Sequence, residues 1–462
     1  MDIKLSPKVE PEIQNFFKNF NFSKFKQITN ANHIIFPEVI ERKIKEIKSV
    51  MREEDKIFLA MKSTYSKSLI KKAVELGCFL DVSTLNELKL AKELGCEEIL
   101  AGGPKSSNYL KEAVKFATII SIDSIYELEN IISMNSKCNI LIRVNDLKVF
   151  NKEISIKRSR FGIKSSQIIK CLEMIKKSNS KISIKGIHFH SDGFSPEDRA
   201  LFFNHIFDLF TLIRSYNHPV SIIDLGGSFN EEILNSNIEF EEFIKENISL
   251  MREGKNSLFL NDDLYGLEFD EESKTVKGVN TILARGIKNS LFKEIQELYE
   301  TICIDSLTFK DLLEENNISL IIEPGYSLST NCGISIFTVQ GKKEFYQENE
   351  LVVVNGHKFN ISASMFSHIS NPLIISFNDN NSGEVLDLKF ENTAYIVGSL
   401  CREDDFLMNR KIPIPKNLNK NDLIVFINTG SYAMSYENCN PQLFETAQYL
   451  VYENKKLVEE NK

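Results

Sequence analysis

The feature that most constrains the fold is an alternation of short apolar segments with amphipathic helical segments. From Ile57 onward, five apolar segments begin at intervals of about twenty residues. Between the first two, Ser66–Gly77 places Leu69, Ile70 and Ala73 at helical spacing and ends in glycine. A strand followed by one helix occupies about this length, so the pattern predicts repeated βα units.

Eight apolar segments of this kind precede residue 324, which predicts a closed (β/α)8 barrel of the TIM type. The predicted strands are Ile57–Met61, Cys78–Val82, Glu98–Ala101, Thr118–Ile122, Asn139–Val144, Ser183–Phe189, Ser221–Leu225 and Leu320–Glu323. More residues separate the last two strands than one helix needs. We therefore expect an insertion near residues 255–300, with a short hairpin around Asp270–Lys274.

The sequence pattern changes after Glu323, where short apolar or alternating runs are separated by Gly, Asn, Asp and Pro. The predicted strands are Ser335–Val339, Glu350–Val354, Leu373–Phe377, Ala394–Val397 and Asp422–Ile427. They predict a C-terminal β-sandwich or small β-barrel over residues 335–462, after an α/β barrel over 31–334. Residues 1–30 are expected to pack with the β domain, and Glu453–Lys462 is expected to fray.

Composition excludes several functional classes. Lys plus Arg number 56 against 64 Asp plus Glu, a net charge of −8 without a basic cluster, so nucleic acid is not an expected partner. No apolar run approaches the roughly 18 to 20 residues of a membrane span, and the N-terminus lacks the apolar centre of a signal peptide. The eight cysteines occur singly, which suits a reducing cytoplasm and gives no support for a metal site or disulfides.

Polar residues and glycines lie at or just after the C-terminal ends of the predicted barrel strands, where the chemistry of such a barrel takes place. These residues are Lys62, Asp81, Gly102–Gly103, Asp123, Arg143, His190, Gly226–Gly227 and Glu323. A desolvated lysine such as Lys62 readily forms a Schiff base. The turn Gly226–Ser228 offers backbone N–H groups to a phosphate, and Glu323 is suited to holding a protonated ring nitrogen. Together they describe a site for pyridoxal 5′-phosphate (PLP).

The same residues carry a resemblance that spans nearly the whole chain. The motifs, in order, are Leu59–Ser63, Asp81–Ser83, Ser159–Gly162, His188–His190, Asp224–Phe229, Glu323–Gly325, Cys401–Asp405 and Gly430–Tyr432. The chain resembles the ornithine, diaminopimelate and arginine decarboxylases, which are fold-type III PLP enzymes with the barrel and β domain of alanine racemase. It most resembles a less characterised branch with a His-Phe-His-x-Asp-Gly motif.

The resemblance implies a role for each residue around the PLP ring. Lys62 is expected to form the Schiff base, His190 to stack on the ring, and Glu323 to keep the ring nitrogen protonated. Asp81 and Arg143 are expected to lie near the cofactor. A protonated ring stabilises the carbanion that loss of CO2 leaves behind.

The phosphate is expected to bind at three places in the chain. Gly226, Gly227 and Ser228 form one turn and Gly325 begins another, each offering backbone N–H groups. The hydroxyl of Tyr432 is expected to be a further donor. Ser228 replaces a third glycine of the family pattern.

The resemblance also implies a homodimer with shared active sites, in which Cys401 enters the site of the partner subunit and returns a proton. Tyr326 stands where the family usually has arginine, and Arg402 where it has an acid that meets the distal ammonium of the substrate. Glu403 is a possible substitute for that acid, and Asp405 completes the motif. We therefore expect a substrate whose distal end differs from that of a simple diamino acid.

Three functions are compatible with these residues. The leading one is decarboxylation of an amino acid, either free or attached to a carrier. A PLP-dependent racemase is the first alternative, although such racemases place arginine at the ring nitrogen where this chain has Glu323. A non-catalytic PLP-binding relative is the second, with Tyr326 in its favour and Lys62, Glu323 and Cys401 against it.

Overall fold

The structure, a computed structural model, describes residues 5–148, 159–190, 195–253, 258–260, 266–270, 272–278, 289–346, 349–362, 369–377, 383–385, 392–436 and 440–460. Its strands are β1 Asn32–Ile35, β2 Lys56–Ala60, β3 Phe79–Val82, β4 Ile99–Ala101, β5 Ile119–Ile122, β6 Cys138–Arg143, β7 Ile182–His188, β8 Ile222–Asp224, β9 Leu267–Asp270, β10 Thr275–Gly278, β11 Ile302–Ile304, β12 Leu307–Thr308, β13 Ser319–Ile322, β14 Gly333–Phe345, β15 Asn349–Val354, β16 Leu373–Phe377, β17 Gly383–Val385, β18 Asn392–Val397, β19 Ile412–Ile414, β20 Leu423–Ile427, β21 Gln448–Glu453 and β22 Lys456–Glu459. Its α-helices are α1 Pro11–Asn19, α2 Pro37–Val50, α3 Lys67–Glu75, α4 Leu85–Glu93, α5 Ser107–Phe116, α6 Ile125–Ser133, α7 Ile168–Ser178, α8 Pro196–Leu201, α9 Phe203–Arg214, α10 Asn237–Arg252, α11 Leu291–Glu300, α12 Phe309–Glu315 and α13 Tyr326–Ser329.

Eight parallel strands close into a barrel in the order β13-β2-β3-β4-β5-β6-β7-β8. They are the eight strands predicted from the sequence, with ends that differ by at most one residue, so the predicted barrel is confirmed. Four successive helices begin at a residue whose hydroxyl accepts a backbone N–H of the first turn: Ser66, Thr84, Ser106 and Ser124. Such caps explain why each helix starts where it does.

The barrel interior is filled by large apolar side chains. Phe58, Leu100 and Leu141 form a cluster that is separate from the core between strands and helices. Their chain neighbours, such as Ile57 and Leu59, belong to that outer core. Because side chains alternate along a strand, the first group points into the barrel and closes it below the site.

The last unit of the barrel is the one in which an insertion near residues 255–300 is predicted. The described residues between β8 and β13 include helices α10, α11 and α12, and β9 pairs with β10 in an antiparallel hairpin with Asp270 opposite Thr275. The hairpin expected around Asp270–Lys274 is confirmed. Residues 254–257, 261–265, 271 and 279–288 of this region lie outside the described residues.

A ten-stranded, mostly antiparallel sheet forms the β domain. All five strands predicted after Glu323 are present in it. Strand β1 lies between β14 and β21 in this sheet, although it precedes the barrel in sequence. Its hydrogen bonds place Asn32–Ile35 in the sheet rather than in the barrel, whose predicted range begins at residue 31. The division of the chain at residues 30 and 334 stays a prediction.

The C-terminal segment differs from its prediction, because Glu453–Lys462 was expected to fray. Strand β22 pairs with β21, and the turn residues Asn454 and Lys455 both have positive φ, as a type I′ hairpin turn requires. The Glu460 carboxylate then accepts hydrogen bonds from the Ser66 hydroxyl and the Ser68 N–H, 2.9 and 2.8 Å away. The expectation was wrong because a tertiary contact at the start of α3 holds a segment whose composition looks like a tail.

Across the described ranges, no helix combines the length and the apolar character needed to cross a membrane.

Candidate active site

Lys62 lies at the end of the first barrel strand. β2 stops at Ala60, and a 3₁₀ turn over Met61–Ser63 carries Lys62 to the mouth of the barrel. Its Nζ lies 3.5 Å from Oδ2 of Asp81, on the neighbouring strand β3. Burial opposes the charge on Lys62, but the carboxylates of Asp81 and then Glu323 outweigh it, so the pKa of Lys62 is raised. Lys62 is therefore a cation held by acidic neighbours.

A buried pair of acids lies at the centre of the mouth. Asp224 ends β8 and Glu323 follows β13, and these two strands are paired in the barrel. Both side chains are almost completely buried. Burial raises the pKa of Glu323 first of all, and the Asp224 carboxylate raises it further; burial likewise raises the pKa of Asp224. The pair therefore retains a proton well above the pH at which an exposed carboxyl loses it.

His188 contacts the same pair of acids from β7. Its Nε2 is 3.9 Å from Oε2 of Glu323, and its Nδ1 is 2.7 Å from Oγ of Ser121. Burial and, after it, the charge of Arg143 lower the pKa of His188 well below its ordinary value. His188 is consequently a neutral imidazole.

The residues at the centre of the mouth fit a bound heteroaromatic ring. Within the part of the chain that the structure describes, Nε2 of His188 and Oε1 of Glu323 are buried and have no hydrogen-bond partner. Buried polar atoms are rarely left in this way, and an acceptor oxygen of this kind suits an N–H such as that of a pyridinium ring. His188, His190 and Glu323 also bring donor atoms within 4.8 Å of one another. That spacing suits a metal as well, but burial raises the pKa of both Glu323 and Asp224, which favours a hydrogen-bonded ring over a metal cation.

The glycine turn after β8 packs tightly against His190 and Glu323. A Cβ on Gly226 would lie 2.6 Å from Nδ1 of His190, and one on Gly227 would lie 2.6 Å from the carbonyl oxygen of Glu323. The Gly227 N–H donates to Nδ1 of His190 at 3.0 Å, and Oγ of Ser228 lies 3.2 Å from its Nε2. The predicted phosphate turn and the predicted ring-stacking histidine are therefore in direct contact. Ser191–Gly193 of the histidine motif lie outside the described residues.

Gly325 and Tyr432 converge on the turn that carries Lys62. A Cβ on Gly325 would lie 2.9 Å from Cβ of Ser63. The Tyr432 N–H donates to the carbonyl of Ser63 at 2.7 Å, with Tyr432 in the left-handed region at φ 45°. The β domain thus contributes Tyr432 to the barrel mouth, where the resemblance places it.

Arg143 is held at the end of β6. Its guanidinium is 3.4 Å from Asp123 and 4.7 Å from the ring centre of Phe161. The Gly162 N–H also donates to Asp123, at 3.1 Å, so the predicted Ser159–Gly162 motif packs on Arg143. This arrangement brings Arg143 to the predicted site.

Sequence reasoning missed a buried lysine beside this cluster. Lys105 has a fully buried side chain, and its Nζ donates to the carbonyls of Gly103 and Ser121 at 2.7 and 2.6 Å. Glu127 pairs with it at 3.3 Å. Burial lowers the pKa of Lys105. The only available signal was its position after Gly102–Gly103, which does not show that a lysine points inward.

The Cys401–Asp405 segment lies in the β domain. Cys401 is exposed, and its N–H donates to Oε1 of Gln442 at 2.9 Å. Arg402 pairs with Asp404 at 2.8 Å. The buried Asp405 carboxylate accepts the N–H groups of Lys358 and Leu400, both at 2.9 Å. None of the contacts described for this segment, which includes Glu403, reaches Lys62 in the same chain.

Tyr326 lies elsewhere, at the start of α13. It lines a small cavity together with Ile233, Thr330, Ile369 and Tyr432. The cavity borders the side of the mouth to which Gly325 and Tyr432 belong. The roles predicted for Tyr326, Cys401 and Arg402 stay predictions.

Comparison with known families gives a match over most of the barrel. The sequence profile described as "Pyridoxal-dependent decarboxylase, pyridoxal binding domain" matches residues 38–257. This range runs from α2 past the glycine turn and includes Lys62, His190 and Gly226–Ser228.

Three curated proteins illustrate the range of relatives. The uncharacterized protein y4yA of Sinorhizobium fredii is 24% identical over 414 residues, which are 87% of this chain and 83% of that protein. Diaminopimelate decarboxylase of Aquifex aeolicus is 24% identical over 409 residues, 84% of this chain and 80% of the enzyme. Antizyme inhibitor 2 of Xenopus laevis is 26% identical over 213 residues, 44% of this chain and 45% of that protein.

Solved structures share the fold over nearly the whole chain. Diaminopimelate decarboxylase of Helicobacter pylori, complexed with L-lysine, superposes with a TM-score of 0.66 at 16% identity and covers 95% of both chains. Arginine decarboxylase of Paramecium bursaria Chlorella virus gives a TM-score of 0.65 at 17% identity, over 95% of this chain and 98% of that one. At these identities the likeness establishes the architecture of barrel and β domain.

Proposed function

We propose that this chain, whose residues 38–257 match the pyridoxal binding domain of the pyridoxal-dependent decarboxylases, binds PLP and removes the α-carboxyl group of an amino acid as CO2. The observation that carries the proposal is the buried Glu323 carboxyl, which has an unpartnered oxygen in the same mouth as Lys62. An acid at this place keeps a proton on a ring nitrogen. Arginine there, the arrangement of the racemase alternative, would not.

The side chains around the barrel mouth have separate roles in the proposed reaction. PLP, when bound, withdraws electrons from the carbon atom that loses CO2. Lys62 would hold the cofactor aldehyde through Nζ, and the Asp81 carboxylate, 3.5 Å away, balances the charge of the free lysine. Glu323 holds the proton at the ring nitrogen, with Asp224 behind it. The two acids do so in a buried setting, where a charge–charge interaction is stronger than in water.

The decisive experiment measures CO2 release from L-, D- and meso-amino acids with purified protein and added PLP. Lys62→Ala is the inactive control, and Lys56→Ala is the matched control, because Lys56 begins the strand that precedes Lys62 but pairs with Glu98 at 2.5 Å. Release from at least one substrate by the wild type and Lys56→Ala, and none by Lys62→Ala, is expected. Interconversion of enantiomers without CO2 would contradict the proposal and establish a racemase.

For the distal end of the substrate, we propose recognition by Arg402 and Tyr326 of a group other than an ammonium. In support, Arg402 is about half exposed and carries a positive charge next to Cys401. Amino acids with uncharged or acidic distal groups, free or attached to a carrier, are therefore expected to react faster than ornithine or lysine. A crystal structure with product that shows a distal ammonium bound by Arg402 or Glu403 would contradict this.

A homodimer with shared active sites forms part of the proposal. Cys401 is exposed and its described contacts are with the β domain, so a second subunit is the means by which it reaches a site. Lys62→Ala and Cys401→Ala subunits should each be inactive alone. When the two are mixed and exchanged, about a quarter of wild-type activity should return, because half of the dimers then contain one intact site. No recovery, with dimer exchange shown by mass, would refute shared sites.

A second candidate function is PLP binding without turnover. It is favoured by the likeness of part of the chain to antizyme inhibitor 2, a relative whose name denotes inhibition rather than decarboxylation. The CO2 panel distinguishes the two. Bound PLP without any release or racemisation would support this second candidate.

A further inference from the structure

A buried ion pair lies behind the two glycine turns of the site. Lys43 is in helix α2, and its ammonium is 2.9 Å from Oε2 of Glu231. Their side chains are only 7% and 2% exposed. Removing two charges from water costs several kcal/mol per ion, and their attraction repays this only with good additional contacts. A pair with this cost is expected to have a positional purpose.

Lys43 makes a second contact that connects it to the other turn. Its Nζ donates to the carbonyl of Ser327 at 2.6 Å. Ser327 lies two residues after Gly325, and Glu231 lies four residues after Gly227. One ammonium therefore links the segment that follows Gly226–Ser228 to the segment that follows Glu323–Gly325.

The two turns are also in direct contact at their inner ends. The Glu323 N–H donates to the carbonyl of Gly226 at 2.8 Å, and a Cβ on Gly227 would lie 2.6 Å from the Glu323 carbonyl oxygen. The turns are thus joined in front by backbone contacts and behind by Lys43. Their relative position is fixed at two points.

Further buried polar groups hold the outer part of the first turn. Arg199 donates to the carbonyl of Ser228 at 3.0 Å, and Glu294 accepts the Asn230 N–H at 2.8 Å. Asn331 donates to Glu231 at 3.2 Å. Arg199 and Glu294 bond to the first turn alone, whereas Asn331, six residues after Gly325, links the same two segments as Lys43 does.

We propose that Lys43 is a positioning residue for the phosphate end of PLP, acting through Glu231 and Ser327 on the spacing of the two glycine turns. The proposal rests on PLP binding and not on the decarboxylation proposed above. The phosphate needs both turns at one spacing, whereas the ring is held by Lys62 and Glu323. Loss of Lys43 should therefore weaken the hold on the phosphate and leave the hold on the ring.

The test compares the dissociation constants of PLP and of pyridoxal, which lacks the phosphate, for the apoprotein. For Lys43→Met, PLP should bind about tenfold to a hundredfold more weakly, which is the size of the loss of one hydrogen bond to the charged phosphate. Pyridoxal binding should stay within about threefold of wild type, since only the phosphate contacts are affected. A role in stability alone would weaken both ligands by the same factor.

Two further variants secure the interpretation. Lys45→Met is the matched control, because Lys45 lies on the same helix, is 63% exposed and pairs only with Glu41 at 2.6 Å among its described contacts; both constants should be unchanged. Glu231→Gln cuts the same link with little change of volume and covers the case in which Lys43→Met does not fold. Equal losses for PLP and pyridoxal, or no loss for either, in Lys43→Met or Glu231→Gln would overturn the proposal, whatever the activity of the protein.

Discussion

The Lys62 ammonium lies 3.5 Å from the Asp81 carboxylate, across two neighbouring barrel strands and nineteen positions of sequence. This contact raises the pKa of Lys62 against the opposing effect of burial. An amine attacks an aldehyde only when it is unprotonated, so the contact also sets the pH at which the apoprotein captures PLP.

For Asp81→Asn, we expect the pH midpoint of the rate of PLP capture to move to lower pH. The substitution removes the negative charge that favours the protonated lysine, so the neutral amine becomes available at lower pH. Stopped-flow absorbance between about pH 8 and pH 11, around the ordinary lysine value, gives the rates. Because the wild-type midpoint is raised above that value, Asp81→Asn should capture PLP faster than the wild type at each of these pH values. Glu98→Gln, which cuts the Lys56 ion pair, is the control and should leave the midpoint in place. An unmoved midpoint in Asp81→Asn would refute the assigned role.

Glu323 should make the apoprotein less stable as the pH rises. Its pKa in the folded state is raised above the ordinary 4.5, so between these two values the folded protein holds a proton that the unfolded chain releases. The free energy of unfolding therefore falls as the pH rises from the unfolded value toward the folded one, by at most about 1.4 kcal/mol per pH unit for one proton. In Glu323→Gln this part of the slope should disappear.

Urea unfolding of the apoprotein at several pH values between about pH 5 and pH 8 gives that slope. This pH range is approximately the one in which buried carboxyls with a raised pKa titrate. Glu75→Gln, an exposed carboxyl on α3, is the control and should keep the wild-type slope. A Glu323→Gln protein with the same slope as wild type would show that the two buried acids do not share a proton.

Gly227→Ala should weaken PLP binding and destabilise the protein. The added Cβ meets the Glu323 carbonyl oxygen at 2.6 Å, so the two turns must separate. Overpacking of this kind costs about 1 to 3 kcal/mol. Gly341→Ala is the control, because nothing lies within 4 Å of a Cβ there. Thermal unfolding and PLP titration measure both effects, and equal behaviour of the two variants would contradict the tight fit of the turns.

Glu460→Gln should lower the stability by about 1 kcal/mol, the usual value of a helix cap. Glu460 accepts the Ser68 N–H at the start of α3, and this helix follows the turn that carries Lys62. Glu459→Gln removes an equal charge from the exposed neighbouring position and serves as the control. Chemical unfolding curves give the difference, and equal stability of the two variants would show that the C-terminal segment does not support α3.

Some features of the site were predictable because they depend on neighbours in the chain. The β2 segment is apolar up to Met61 and polar at Lys62, which places the lysine at a strand end wherever that strand packs. The positions of Gly226–Gly227, which follow an apolar strand, and of Glu323, which precedes Pro324, can likewise be assigned to strand ends from their neighbours in the chain. Their convergence followed from the barrel alone, because parallel strands bring all their C-terminal ends to one face.

Other features arise only from contacts between distant parts of the chain. The inward direction of Lys105 and the contact of Glu460 with α3 leave no local pattern. The same is true of β1, which precedes the barrel in sequence and pairs with strands of the β domain.

The sequence by itself determined the barrel, the β domain and the residue types at the mouth, because the period of apolar residues and the turn residues are local properties. Tertiary structure alone decided the burial of Asp224 beside Glu323, which raises the pKa of both acids, and the link from Lys43 to two glycine turns. The physical reason is that burial and charge coupling depend on distances between strands and helices, which no spacing along the chain specifies.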